Sequence, residues 1–456
     1  MVAGCACPTP AEQDPAPART KATPVEPTPE PAPVGPWLTE ASQTLRSSNS
    51  VEVAGLARLP DGDIALAGLM RGDLEVNGAL LTSAGGEDIL VMRLAPDGAP
   101  RWARRFGGQS RQAATAIAVD PTGDIIVTGS YAHHFEIGET AIESAGHVDV
   151  FVTKLAPDGA PRWARSFGDR GRDHAEGLAV DARGELWLAG WFSGELSFGG
   201  APLRSAGDLD AFVVRLGPDG DHRWSRAYGD DKAQLARTVV VDAAGSVYVA
   251  GEARGLVDFG GGPIAAISNN DVFALKLGPA AEHRWARRFA AGDKPRVRSS
   301  AASPAGVVIA GTYARNLELG EHTLRTRRDD AGFVTLLDLQ GAPVWAVEPG
   351  ATESRPLTPG AVAVGPTGAV YVAGDVILKR PDGASRLAYL TEINADGVAQ
   401  DWPLPASSDS RAVAVVTLDE RRALVVGNEF RGVVDPAPGR PVSEANLTTW
   451  LLARPE

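Results

Sequence analysis

The chain has 456 residues, 44% hydrophobic and 22% charged, with 52 glycines and 34 prolines. Its net charge of -13 leaves no basic surplus to neutralise phosphates, so no nucleic-acid partner is expected. There is no run of about 18 apolar residues to span a membrane. The only cysteines, Cys5 and Cys7, precede the globular part, which excludes a disulfide framework or a cysteine-based metal site within the fold.

In chain order, the first segment is a leader. Prolines 8, 10, 15, 17, 24, 27, 29, 31, 33 and 36 alternate with Ala, Thr and Glu. Such a segment cannot bury a core and favours extended polyproline II, so residues 1–36 are expected to be a disordered tether. Val2-Ala-Gly-Cys5 resembles the lipobox of bacterial lipoproteins. That resemblance implies acylation of Cys5 and an extracytoplasmic place at the outer membrane or cell surface, with the membrane touched only through the lipid. Only Met1 stands before the motif, so this expectation requires a start further upstream.

Beyond residue 36 the sequence repeats, and Trp37, Trp102, Trp163, Trp224, Trp285, Trp345 and Trp402 mark the repeat. From Trp102 onward the spacings are 61, 61, 61, 60 and 57 residues. A second marker is a pair of Val- and Ile-rich runs joined by a turn, as in Ala114–Asp120 and Asp124–Gly129. Equivalent runs end at Gly68, Gly190, Gly251, Gly311, Gly374 and Gly427. This is a strand–turn–strand signal. A third marker is an Asp-initiated run, Asp149–Leu155, with counterparts at Asp88, Asp210 and Asp271.

Four strands per repeat, repeated seven times, predict an all-β, seven-bladed β-propeller over residues 37–456. The period exceeds the roughly 40 to 50 residues of common propeller repeats. The surplus lies between the second and third strands, where alternation across Asn-Gly or Gly-Gly turns predicts an extra hairpin in most blades. Blade six is shorter there. The seventh repeat ends without a fourth strand, and the chain opens with an orphan strand at Trp37–Ser42. Pairing the two closes the ring and protects its edges.

A tryptophan fixed in every blade is expected to pack against the next blade, the alternative being an aromatic platform for sugars. Trp191 and Tyr131 are the candidate surface contacts, because they lie just past the second-strand glycines. The recurring Asp-Gly pairs before Trp are turn chemistry. Asp61-Gly-Asp63 supplies too few oxygens for calcium. His133 and His134 are adjacent on a strand, point to opposite faces and chelate poorly. His222 and His283 recur two residues before Trp, which marks them as structural. No catalytic constellation, metal motif or cofactor motif is present, so no catalytic residue, metal or cofactor is expected.

The unit Ala-Ile-Ala-Val-Asp-x-x-Gly-x-Ile-x-Val-Thr-Gly, followed by Asp-x-Phe-Val-x-Lys-Leu, resembles the bacterial SBBP family of β-propeller repeats. More distantly, Leu-x-Pro-Asp-Gly-x-x-x-Trp is similar to the tryptophan docking segment of PQQ-type propellers. The SBBP resemblance implies a fold and an extracytoplasmic setting, and fold alone gives no activity. Three readings compete. One is a non-enzymatic envelope scaffold, expected to be monomeric, that binds an unidentified protein through propeller-face loops, the inserted hairpins among them. Another is a carbohydrate- or polymer-binding module using Trp191 or Tyr131. The third is a propeller enzyme, quinoprotein or glycan-cleaving, with carboxylates in the central funnel.

Overall fold

The computed structural model describes residues 37–328, 330–350, 357–380, 383–405, 410–430 and 445–454. Cys5 and the proline-rich tether lie outside them. Among the described residues there is no helix. The chain forms seven antiparallel blades. In blade one the strands, from the inside outward, are Ser50–Arg58, Ile64–Arg71, Asp88–Leu94 and Pro100–Phe106. The inner strands of the other blades are Gln112–Val119, Asp173–Val180, Gln234–Val241, Ala291–Ser303, Thr358–Val364 and Ser410–Thr417. Each touches the next round a closed circle, the seventh returning to the first, so these strands wall a central channel.

The ring closes as the sequence predicts. Leu38–Leu45 pairs antiparallel with Ala445–Ala453 and supplies the outer strand of blade seven, with Ser42 opposite Trp450. Hydrophobic packing is organised by interface. Seven apolar clusters each join one blade to the next, including Leu424, Val426 and Leu451 of blade seven against Ile64, Leu66 and Leu90 of blade one. The middle strands of each sheet are therefore covered on both faces, as in Ile64–Arg71 and Asp88–Leu94, which explains why they read as near-continuous apolar runs.

Hairpins inserted between the second and third strands occur in blades one to five, for example Asp73–Val76 with Ala79–Thr82 and His134–Ile137 with Thr140–Glu143. They do not stand on a propeller face as binding loops. Each folds back along the outer wall until its tip meets the start of its own outer strand. Asn77 Nδ2 donates to the Pro100 carbonyl at 2.8 Å, and Gly138 abuts Pro161. Gly200 and Gly261 lie over His222 and His283. Radial sheets diverge outward and leave wedge-shaped gaps. Leu74 and Val76, Phe135 and Ile137, Leu196 and Phe198, Val257 and Phe259, and Leu317 and Leu319 fill them. Each such side chain contributes about 1.5–3 kcal/mol when fully buried.

The tryptophans separate into two groups. Trp102, Trp163, Trp224, Trp285 and Trp345 share one slot on the outer strand, opposite Arg93, Lys154, Arg215, Lys276 and Leu336. Four of them press on a turn glycine of the following blade: Trp102 on Gly159, Trp163 on Gly220, Trp285 on Gly341 and Trp345 on Gly397. At the fifth contact the turn carries Ala281, held at φ 65° in the same apolar cluster as Trp224. Trp102 Nε1 donates to the Pro157 carbonyl at 3.1 Å and Trp285 Nε1 to Leu339 at 2.9 Å. Trp402 and Trp37 do not belong to this set. Gln400 occupies the slot in blade six and Ala41 in blade seven. Trp402 pairs with Leu390, and Trp37 packs edge-on against Tyr371 of blade six at 5.6 Å. Similar spacing along the chain concealed a shift of register on the strand.

Candidate functional site

One local distortion recurs in every blade and builds the channel mouth. The inner strand carries a β-bulge opposite the second-strand glycine, so that one residue is left out of the pairing. Glycine is required there by close approach. A Cβ on Gly129 or Gly190 would sit 2.0 or 1.9 Å from the carbonyl oxygen of Ala113 or His174. The bulged residues are Ala54, Thr115, Glu176, Arg237, Arg298, Gly360 and Val413. All seven are partly exposed although they stand on innermost strands, which places them at the channel. They lie toward the end where inner strands begin and second strands finish.

Here the repeat symmetry breaks. Blades one and two contribute Ala54 and Thr115. Blades three to five contribute an acid and two arginines, and blade six contributes no side chain at all. Two further columns flank the bulge. One runs Glu52, Ala113, His174, Leu235, Arg296, Thr358 and Arg411, and its partners across the pair are Leu69, Ser130, Trp191, Glu252, Thr312, Asp375 and Asn428. Charge gathers on blades three to seven.

The charged groups form a connected network. Trp191 stacks on His174 with ring centres 4.1 Å apart, and its Nε1 donates to Glu176 Oε1 at 3.0 Å. Arg237 donates to the same Glu176 oxygen at 3.1 Å and to Glu252 Oε2 at 2.9 Å. Glu252 Oε1 accepts the Val297 backbone N–H at 2.6 Å, between Arg296 and Arg298. On blade six, Asp375 accepts from Arg386 Nη1 at 2.9 Å and lies 3.2 Å from Arg411 Nε.

Burial sets the electrostatics. It pulls the His174 imidazole below its ordinary value, with Arg111 and Arg237 adding to the effect against Glu176. It lifts Glu252 and Asp375 above the usual carboxylate range despite their arginine partners. Burial opposes the charge of Arg237, but Glu252 and Glu176 outweigh it and hold its pKa up. Arg298 differs from its neighbours. It makes no hydrogen bond or ion pair among the described residues, and its Nε is buried without a partner. Burial, then repulsion from Arg411 and Arg296, lowers its pKa to about 10.

Of the sequence-predicted contacts, Trp191 lies in this mouth, part-buried, between His174 and Glu176. Tyr131 is a correction: it is 1% exposed, wedged beside Phe135 and Phe151, with its hydroxyl donating to the Glu143 carbonyl at 3.0 Å. The hairpin folded down the outer wall covers it. The remaining mouth residues escaped the sequence reading because each comes from a different repeat. Aligning the repeats on the second-strand glycine exposes a column of changing charge amid constant neighbours.

The channel's other end is built from the first turns of the blades. A cavity of about 440 Å³ lies there, lined by Arg58, Pro60, Asp120, Pro121, Asp181 and Ala182. Among the described residues no group of three or more His, Cys, Asp or Glu is arranged to hold a metal ion.

No family model matches the chain. It is 27% identical over 197 residues to an uncharacterized WD repeat-containing protein, L264, of Acanthamoeba polyphaga mimivirus, covering 36% of this chain and 14% of that protein. It is 23% identical over 225 residues to the regulatory protein FlaEY of Caulobacter vibrioides, covering 47% of this chain and 23% of that protein. The matched region thus spans less than a quarter of either relative. Among solved structures, puromycin hydrolase aligns with TM-score 0.43 at 14% identity, covering 84% of this chain and 51% of that one. A PQQ-bound aldose sugar dehydrogenase from Streptomyces coelicolor aligns with TM-score 0.37 at 13% identity, covering 92% and 100%. The chain is a seven-bladed β-propeller by its own strand topology, and over part of its length it is similar to a WD repeat-containing protein.

Proposed function

We propose that this chain is a non-enzymatic binding propeller of the cell envelope, whose partner engages the channel mouth bearing Trp191, Glu176, Arg237, Arg298 and Arg411. The observation that carries this reading is where symmetry breaks. The blade interfaces repeat one packing scheme, whereas the bulge column varies from alanine to glutamate to arginine. Scaffold positions need the repeat and recognition positions do not. The lipobox-like Val2-Ala-Gly-Cys5 and the proline-rich leader support a tethered, extracytoplasmic setting.

The test is retention of partner from a solubilised envelope extract of the source organism. Wild-type chain is compared with Glu176→Gln and with a hairpin variant, Glu136→Gln/Glu143→Gln, altered on the outer wall. Loss at the mouth variant alone is expected. Retention that depends only on the hairpin variant would return the binding surface to the outer wall. One observation favours a second reading. Glu252 and Asp375 are buried carboxylates with raised pKa values in a cleft, which acid–base catalysis also uses. Turnover of glycan or lactone substrates that disappears in Glu252→Gln would favour that enzyme reading.

A further inference from the structure

The cations at the mouth are not used up by the acids beside them. Glu176 and Glu252 hold Arg237 from both sides, and Asp375 faces Arg386 and Arg411. Arg296 and Arg298 stand on the next inner strand with no ion pair among the described residues, in a chain whose net charge is -13. Arg298 of blade five and Arg411 of blade seven flank blade six, whose bulge residue Gly360 carries no side chain, and both act on its Asp375. Asp375 Oδ1 and Arg411 Nε lie 3.2 Å apart yet make no hydrogen bond, so Arg411 also retains donor capacity. A buried guanidinium with an unmatched Nε–H costs free energy unless something accepts that proton. The planar fork of arginine suits an oxyanion, through paired N–H donors.

We propose that Arg296, Arg298 and Arg411 form an oxyanion site in the channel mouth, which takes a phosphate or carboxylate group of the ligand. This rests on the reading of the mouth as the binding surface. Trp191, stacked on His174, offers the non-anionic part of that ligand an aromatic wall on the same rim. The arginines set its selectivity: they repel a cation, and an uncharged group gains no charge-assisted hydrogen bonds from them.

The test is isothermal titration of the full chain with inorganic phosphate, with succinate, and with sodium chloride at equal ionic strength as the control. Saturable binding of phosphate, succinate or both is expected. Affinity should fall at least tenfold in Arg298→Met, and stay unchanged in Arg204→Met, an exposed arginine on the outer-wall hairpin of blade three. Phosphate alone binding identifies a phosphate-bearing ligand, and succinate alone a carboxylate. Arg298→Met should also fold at least as well as wild type, because it removes an unmatched buried charge. If it does not fold, Arg411→Met with Arg298→Lys carries the comparison. No saturable binding, or binding indifferent to these substitutions, overturns the proposal. Partner capture that survives in Arg298→Met would reject the oxyanion site while leaving the mouth reading intact. Arg298-dependent anion binding together with partner capture lost only in the Glu136→Gln/Glu143→Gln hairpin variant would reject the mouth as the partner surface while leaving the oxyanion site standing.

Discussion

Asp173 opens the inner strand of blade three, where blades two and four carry Gln112 and Gln234. The glutamines satisfy the connection from the preceding outer strand. Gln112 Oε1 accepts the Gly108 N–H at 2.9 Å, and Gln234 Oε1 accepts that of Asp230 at 3.2 Å. Asp173 reproduces the acceptor, taking the Asp169 N–H at 3.1 Å, but places a carboxylate beside Asp169 and near Asp149. Its other oxygen is buried without a partner. Burial first, then those two acids, pushes its pKa from 3.8 to about 7.

A carboxyl whose folded pKa lies above its unfolded one takes up a proton on folding. Its stabilising effect is complete below the unfolded value and is lost as pH rises through about 7. The shift corresponds to at most about 4 kcal/mol at pH 8, at 1.36 kcal/mol per pKa unit. Asp173→Gln removes this dependence. It also supplies an amide N–H for Asp169, as Gln234 Nε2 does for Asp230 Oδ1 at 2.6 Å. Urea unfolding of wild type and variant from pH 4 to pH 8 measures the effect. The variant's advantage should be small at pH 4 and grow by up to about 4 kcal/mol by pH 8. A difference that stays constant across this range would refute the assignment of a neutral, buried Asp173.

Further predictions concern the ring and its mouth. Trp102→Ala should cost about 3–5 kcal/mol in denaturant unfolding, because it empties the contact with Gly159 of blade two. Trp402→Ala should leave the Gly397 contact, made by Trp345, in place. Its loss can be followed separately through the environment of Tyr371, which shares its cluster. Ser246→Asp should stabilise by about 0.5–1 kcal/mol at low salt. In blades one to three an acid on the first turn faces the equivalent cation, as in Arg93 with Asp63 and Arg215 with Glu185, whereas Lys276 of blade four meets no acid among the described residues and reaches the Tyr248 ring and the Leu339 carbonyl. The gain should vanish in high salt. Gly190→Ala should destabilise by about 3 kcal/mol, since its Cβ meets the His174 carbonyl at 1.9 Å. It should also change Trp191 fluorescence.

The fold was legible because its determinants are local and recur. Turn glycines with positive φ, such as Gly159 at 83°, and the second-strand glycines recur at matching points and mark strand boundaries without tertiary information. Closure was legible for the same reason: a blade lacking its outer strand and an orphan strand at Trp37 can be paired by counting. What was not legible depended on register or direction. Trp402 and Trp37 look equivalent to Trp102 along the sequence, but Trp402 stands two residues and Trp37 four residues from the slot, which changes the neighbour. Alternation in Phe135, Ile137 and Ile142 announces a half-buried hairpin. It does not say that the buried side faces an inter-blade wedge, which is why Tyr131 read as exposed. The mouth was hardest, because Glu176, Arg237 and Arg298 are about one repeat apart and meet only when the ring closes.

The most direct test of the channel mouth as the binding surface is hydrogen–deuterium exchange of the chain, alone and with its captured partner. Protection should concentrate on the start of the inner strands of blades three to seven, above all residues 173–178, 291–300 and 410–414. Protection confined to the hairpins at 73–82 and 134–143, with the inner strands unchanged, would contradict the account.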